Sequence, residues 1–122
     1  MAEKKILIVE DERPMANILS MKLKSQGLAA DTVYNGEEGL EAIGKEDYDL
    51  ILLDLVMPKT DGFDFLEKVK SLKLNIPIVV ITNLSQDSDK KRALELGASK
   101  YLIKTEVNLM QILDTAKGFL ED

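Results

Sequence analysis

Leu50-Ile51-Leu52-Leu53-Asp54 is an apolar run that stops on a carboxylate. Three other runs stop on polar residues in the same way. Ile6-Leu7-Ile8-Val9 runs into Glu10-Asp11-Glu12, Ile78-Val79-Val80-Ile81 into Thr82, and Tyr101-Leu102-Ile103 into Lys104. A run that is apolar at every position reads as a parallel strand covered on both faces. In an open parallel sheet, ligands sit beyond the carboxyl ends of the strands. The run ends therefore bring carboxylates, a hydroxyl and an ammonium to one edge. Carboxylates hold a hard cation, while a hydroxyl and an ammonium hold phosphate oxygens.

Between the runs the spacing is helical. Met15, Ile18, Leu19 and Leu23 make one stripe, closed by Gly27. Asn35 and Glu38 fit an N-cap with an acid three residues on, ahead of Leu40 and Ile43. Leu66, Val69 and Leu72 follow Asp61-Gly62, and Ala93, Leu94 and Gly97 end a fourth segment. Leu109, Ile112, Leu113, Ala116 and Leu120 form the clearest stripe, the last helix. Ala30-Asp31-Thr32-Val33-Tyr34 alternates more and reads as an edge strand, with the short Lys100–Ile103 as the other edge. The result is five βα units in order. Ser85–Arg92 has no apolar residue, so the helix it starts is expected to be weakly anchored and mobile.

At 122 residues the chain reads as one domain, residues 1–122, with no linker or repeat. Hydrophobic content of 45% and charged content of 31% are ordinary for a globular protein. Cys and His are both absent. That excludes disulfides, thiol nucleophiles, imidazole ligands and a His base, and any metal must be held by oxygen. Net charge is −6, and Lys90-Lys91-Arg92 is the one basic triplet. No basic face for nucleic acid follows from that pattern. No apolar run approaches the ~20 residues of a membrane span. The start of the chain does not read as a signal peptide, so the cytoplasm is the expected location. The last helix reaches the end of the sequence, which leaves no expected second domain.

Taken singly, each strand-end residue has an ordinary explanation. Asp11 could cap a helix ahead of Pro14, Asp54 could be solvated, Thr82 is a strand former, and Lys104 could serve solubility. Taken jointly these weaken, because ionised carboxylates on the adjacent first and third strands repel unless a cation lies between them.

The stretch Asp54-Leu55-Val56-Met57-Pro58-Lys59-Thr60-Asp61-Gly62 is the most specific motif. Together with Glu10-Asp11, Thr82 and Lys104, it resembles the receiver domain of two-component response regulators, over Lys5 to Leu120. The resemblance implies an α/β, flavodoxin-like, doubly wound five-stranded parallel sheet of order 2-1-3-4-5 with five helices. It implies that Asp54 accepts a phosphoryl group from a phosphohistidine. Asp11, Asp54 and the Val56 carbonyl would bind Mg2+ (or Mn2+) directly, and Glu10 through water. Thr82 and Lys104 would hold phosphoryl oxygens, and Tyr101 would be the switch aromatic, entering space that Thr82 vacates. The implied partners are a sensor histidine kinase or phosphotransfer protein and an unidentified downstream protein. Nucleic acid and membrane are not expected, and a monomer or weak dimer is. The chain would be no enzyme beyond its own phosphorylation and dephosphorylation.

This sequence departs from the family pattern at three places. Glu10 stands where Asp is usual, Asn83 where a small residue follows the switch Thr, and Thr105 where Pro follows the Lys. Asn83 is expected to narrow access to the site. A cis bond before a non-proline residue costs about 2.5–4 kcal/mol, so a trans Lys104–Thr105 bond is expected. Thr105 is then free to cap the last helix.

Three rivals compete with this reading. A magnesium phosphatase with an aspartyl-phosphate intermediate needs a second Asp two residues after the nucleophile, where this chain has Val56. A flavin or nucleotide binder needs a Gly-rich or hydroxyl-rich loop after the first strand, where Glu10-Asp11-Glu12-Arg13-Pro14 is acidic. A degenerate receiver acting as a constitutive interaction module would be expected to lack some of these residues.

Overall fold

The computed structural model describes residues 3–58 and 61–121. Lys59 and Thr60 of the Asp54–Gly62 motif, and residues 1, 2 and 122 of the expected span, lie outside the described residues. Strands and helices alternate: β1 Lys5–Val9, α1 Arg13–Ser25, β2 Ala29–Val33, α2 Gly36–Lys45, β3 Leu50–Leu53, α3 Gly62–Ser71, β4 Ile78–Thr82, α4 Asp87–Glu95, β5 Lys100–Ile103 and α5 Leu109–Leu120. A short 3-10 turn at Lys104–Glu106 precedes α5. All strand pairs are parallel and the order is β2-β1-β3-β4-β5, the flavodoxin-like doubly wound sheet the sequence implied.

Successive strand side chains point to opposite faces, and here both faces are covered. Ile6, Ile8, Leu50, Leu52, Val79 and Ile81 pack with Leu19 and Leu23 of α1 and Ile112, Leu113 and Ala116 of α5. Leu7, Val9, Ile51, Leu53 and Val80 pack with Ile43 of α2, Phe65, Leu66 and Val69 of α3, and Ala93 of α4. That is why the central strands are apolar at every position. Each such side chain contributes roughly 1.5–3 kcal/mol on burial.

The helix ends are set locally. α1 closes on Gly27, whose φ of 83° suits glycine. There Gly27 N–H donates to Lys24 O and Leu28 N–H to Leu23 O. Asn35 caps α2 by accepting from Glu38 N–H at 2.8 Å, as expected. Asp61 caps α3 through Asp64 N–H.

Several expectations need correcting. Ile18 and Leu72, assigned to apolar stripes, are 49% and 57% exposed. Ala16 takes the inward place in α1, and Leu72 lies just past the end of α3. Leu94 is likewise exposed. Thr105 does not cap α5: it lies in the 3-10 turn, and Asn108 caps the helix through a capping box with Gln111. No peptide bond among the described residues is cis, so Lys104–Thr105 is trans.

The polar α4 is thinly attached, as its composition implied. Its buried residue is Ala93, and its Arg92 guanidinium stacks on the Phe63 ring at 4.2 Å. Among the described residues no helix is long and apolar enough to cross a membrane.

Candidate functional site

Two hydrogen bonds extend the sheet one residue past its strands. Glu10 N–H donates to Val33 O at 3.1 Å, and Asp54 N–H donates to Val9 O at 3.0 Å. Glu10 and Asp54 are thereby held side by side at the carboxyl edge of β1 and β3. Both are buried, at 3% and 4% exposure. Glu10 Oε2 accepts from Glu12 N–H at 3.2 Å, and Asp54 Oδ1 accepts from Val56 N–H at 3.2 Å.

Lys104 reaches them from the end of β5. Its Nζ lies 2.7 Å from Glu10 Oε1, 3.0 Å from Asp54 Oδ2 and 3.0 Å from Glu12 Oε1. Burial pushes the Glu10 carboxyl up, to about 8; the Lys104 ammonium pulls it back and the Asp54 charge adds to the rise. Burial lowers Lys104, but its bond to Glu10 and the charges of Asp54 and Glu10 outweigh this and hold it above its ordinary value.

Gly62 packs directly against the backbone of Asp54 and Leu55. Its N–H donates to Leu55 O at 2.9 Å. A Cβ at this position would overlap the Leu55 Cα and lie 2.9 Å from the Asp54 carbonyl oxygen. The glycine of the motif is therefore a packing requirement of the site.

Thr82 ends β4, fully buried, and its Oγ1 accepts from Leu84 N–H at 3.4 Å. Tyr101 is buried on β5 at 8% exposure and donates its hydroxyl to Leu84 O at 2.8 Å. Its phenol is raised to about 12 by burial, with the charges of Asp89 and Asp54 adding to it. Tyr101 thus already occupies the inward position. Asn83 is exposed at the rim.

The predicted residues are only partly brought together. Oxygens of Glu10, Glu12 and Asp54 lie within 4.8 Å of one another, a set that could hold a metal ion. Asp11 is half-buried and does not join that group, and Val56 is exposed. Glu12 was part of the sequence pattern but was given no role; its exposed side chain now stands beside Lys104. Leu84 was missed altogether, since both of its bonds to Thr82 and Tyr101 are made by its backbone and no side-chain signal could have marked it. The all-oxygen donor set, partly buried and anionic, fits Mg2+ or Mn2+.

The model of the response regulator receiver domain family matches residues 6–116. The transcriptional regulatory protein DltR of Streptococcus agalactiae is 39% identical over 100 residues, covering 82% of this chain and 45% of the relative. The chain therefore spans about half the length of the curated relatives it matches. A two-component response regulator from Clostridium difficile is similar in structure with a TM-score of 0.91, 31% identity and coverage of 97% of this chain and 96% of that one. The BeF3-activated N-terminal receiver domain of Klebsiella pneumoniae RstA gives a TM-score of 0.89 at 28% identity, covering 98% and 100%.

Proposed function

This chain belongs to the response regulator receiver domain family, and from that premise we propose that it is a phosphorylation-dependent signalling switch with Asp54 as the acceptor. The observation that carries the reading is the convergence of three strand ends: Lys104 Nζ bonds both Glu10 of β1 and Asp54 of β3. A buried carboxylate with an ammonium beside it, at the ligand edge of the sheet, suits attack on an anionic phosphoryl group, because the ammonium offsets the repulsion between them.

In the proposed reaction a carboxylate oxygen of Asp54 bonds to phosphorus while the bond from phosphorus to a donor imidazole nitrogen breaks. The imidazole leaves with the electron pair. Lys104 offsets repulsion between Asp54 and the anionic phosphoryl oxygens, and Thr82 offers a hydroxyl to one of them. The work is positioning and electrostatics rather than covalent chemistry by the protein. Asp54 and Glu10, with Asp11 as the neighbouring carboxylate, would hold Mg2+, with the Val56 carbonyl as a further oxygen. Bound Mg2+ supplies positive charge against the phosphoryl oxygens. Hydrolysis of the aspartyl phosphate ends the signal, so turnover is limited to the chain's own modification.

Thr82, Leu84 and Tyr101 are the proposed route outward, a local charge event with a packing readout. The donor would be a histidine kinase or phosphotransfer protein in the cytoplasm. The recipient is a protein surface, or an output domain in a longer chain such as the transcriptional regulators it matches. The activated state of the similar RstA receiver supports testing with beryllofluoride.

Acetyl phosphate with Mg2+ is expected to add one phosphoryl group, stable in acid and labile in base, and Asp54→Asn to abolish it. Phosphorylation of Asp54→Asn under the same conditions would sink the assignment.

A further inference from the structure

Glu12 stands in the N-cap position of α1 without capping it. A side chain there ordinarily accepts a bond from a first-turn N–H. The Glu12 carboxylate makes no such bond and instead meets Lys104 Nζ at 3.0 Å.

The two buried carboxylates are each committed on one side. Glu10 Oε2 accepts from the Glu12 N–H, and Asp54 Oδ1 from the Val56 N–H. Their other oxygens, Glu10 Oε1 and Asp54 Oδ2, are the ones Lys104 holds. A divalent cation drawing on Glu10 Oε1 or Asp54 Oδ2 competes with the ammonium for that oxygen. Two cations confined in a poorly solvated site also repel each other. The ammonium needs a carboxylate further out, and Glu12 is placed to be it. Its side chain is 57% exposed, against 4% for Glu10 and for Asp54 and 9% for Lys104 itself.

We propose that Glu12 is a positioning residue: it receives the Lys104 ammonium when a divalent cation takes Glu10 and Asp54, and holds it at the mouth of the site, facing the incoming phosphoryl group. This rests on the phosphoryl-acceptor reading above. In the protein without metal Lys104 is the cation that both buried carboxyls face. With metal bound, the ion takes that place and Lys104 is kept close by Glu12 rather than lost to solvent.

The test is a double-mutant cycle read by calorimetric titration of Mg2+ alone. The four proteins are the natural chain, Glu12→Gln, Lys104→Met and the double variant. Glu12→Gln removes no cap bond, and its melting curve without metal checks that it folds. The Glu12–Lys104 pair exists already without metal, so Glu12→Gln is expected to weaken Mg2+ binding in the natural chain only by the strength the pair gains when the ion takes Glu10 and Asp54, about two- to threefold. In the Lys104→Met background the same change is expected to weaken binding at least about twofold less, because the partner through which Glu12 acts is gone. Lys104→Met alone is expected to tighten Mg2+ binding. Equal weakening in both backgrounds would show that Glu12 acts on the ion directly, and would overturn the proposal. So would no weakening in either background. Failure of the natural chain to take up Mg2+ at all would overturn the acceptor reading together with this inference. In protein labelled at the lysine side chains, the Lys104 NMR signal of the Mg2+-loaded natural chain is expected to differ from that of loaded Glu12→Gln. Identical signals would count against Glu12 as the resting place of the ammonium.

Discussion

Tyr101 donates its hydroxyl to the Leu84 carbonyl at 2.8 Å, from a ring seated inside the sheet edge. The same residue's N–H donates to Thr82 Oγ1, so Leu84 is joined on one side to the hydroxyl at the end of β4 and on the other to the aromatic of β5. In the proposed switch, a pull on Thr82 would reach Tyr101 through one backbone residue. Tyr101→Phe keeps the ring and deletes the bond. It is expected to cost ~0.5–1.5 kcal/mol in chemical denaturation and to speed amide exchange in residues 83–86, while Asp54 still takes up a phosphoryl group. Unchanged exchange in that loop would show that the bond does not restrain it.

Lys104→Met is expected to destabilise the protein without metal by roughly 3 kcal/mol. Removing one partner of a buried pair typically costs about 3–5 kcal/mol, because a charge is left unpaired. The lower end applies because burial raises the Glu10 carboxyl to about 8, so it carries little charge near neutral pH and Asp54 is the main group left unpaired. Millimolar Mg2+ is expected to restore most of the loss, and to raise the melting temperature of this variant more than that of the natural chain. A variant as stable as the natural chain without metal would mean that the three-way contact contributes nothing.

Gly62→Ala touches no chemical group of the site and is expected to disable it. The added methyl would meet backbone, the Leu55 Cα and the Asp54 carbonyl oxygen, and backbone just past a strand cannot swing aside as a side chain tip can. A loss of about 3 kcal/mol is expected, at the upper end of overpacking costs, with phosphorylation by acetyl phosphate reduced at least about tenfold. Normal phosphorylation in a well-folded Gly62→Ala protein would show that the loop has another way to close.

The layered fold was legible because both faces of β1, β3 and β4 are buried, so Ile6–Val9, Leu50–Leu53 and Ile78–Ile81 carry no polar interruption. The meeting of Glu10, Asp54 and Lys104 was legible too, since strand order alone sends these run ends to one edge. Side-chain allegiance was less so. Ile18 and Leu72 fit the helical period, yet Ile18 lies outside the face of α1 that reaches the sheet and Leu72 lies past the end of α3. Glu12 and Lys104 are 92 residues apart, and nothing local distinguishes an acid that caps a helix from one that turns toward a distant lysine. Leu84 works through its carbonyl and N–H, which every residue has.

Away from the site, Tyr48, Asp31, Glu46 and Lys5 form a cluster with a pH signature. Tyr48 Oη lies 2.7 Å from Asp31 Oδ2 and 3.1 Å from Glu46 Oε2, and Lys5 Nζ lies 3.3 Å from Asp31 and 2.8 Å from Glu46. Burial raises Asp31, but the Tyr48 hydroxyl, Lys5 and Glu46 outweigh it and leave Asp31 below its ordinary 3.8. A carboxyl that is lower when folded contributes stability above its unfolded value and loses it as pH falls through the folded one. The Tyr48 hydroxyl therefore stabilises most while Asp31 is charged. Tyr48→Phe is expected to cost about 1 kcal/mol at pH 6, after discounting for solvent exposure, and measurably less at pH 3. Denaturant titrations at the two values check this; an equal or larger cost at pH 3 would show that the hydroxyl acts through packing alone.

The start of α5 separates two residues that look equally able to cap it. Thr105 and Asn108 both carry a side-chain oxygen suited to a first-turn N–H, and both precede the apolar stripe. The 3-10 turn at Lys104–Glu106 decides between them, because it spends Thr105 on the turn that follows Lys104 and delays the helix to Leu109. Asn108 Oδ1 accepts from Gln111 N–H at 2.9 Å, and Gln111 Oε1 accepts from Asn108 N–H at 2.8 Å. Two donors without helical partners are satisfied reciprocally. Asn108→Ala is expected to cost ~1 kcal/mol, whereas Thr105→Ala, with an exposed side chain and no cap bond, is expected to stay within about 0.5 kcal/mol of the natural chain. Chemical denaturation of the two variants side by side reads the difference. A larger loss for Thr105→Ala would mean that the helix starts earlier in solution and that Lys104 is held by the helix itself rather than by the turn before it.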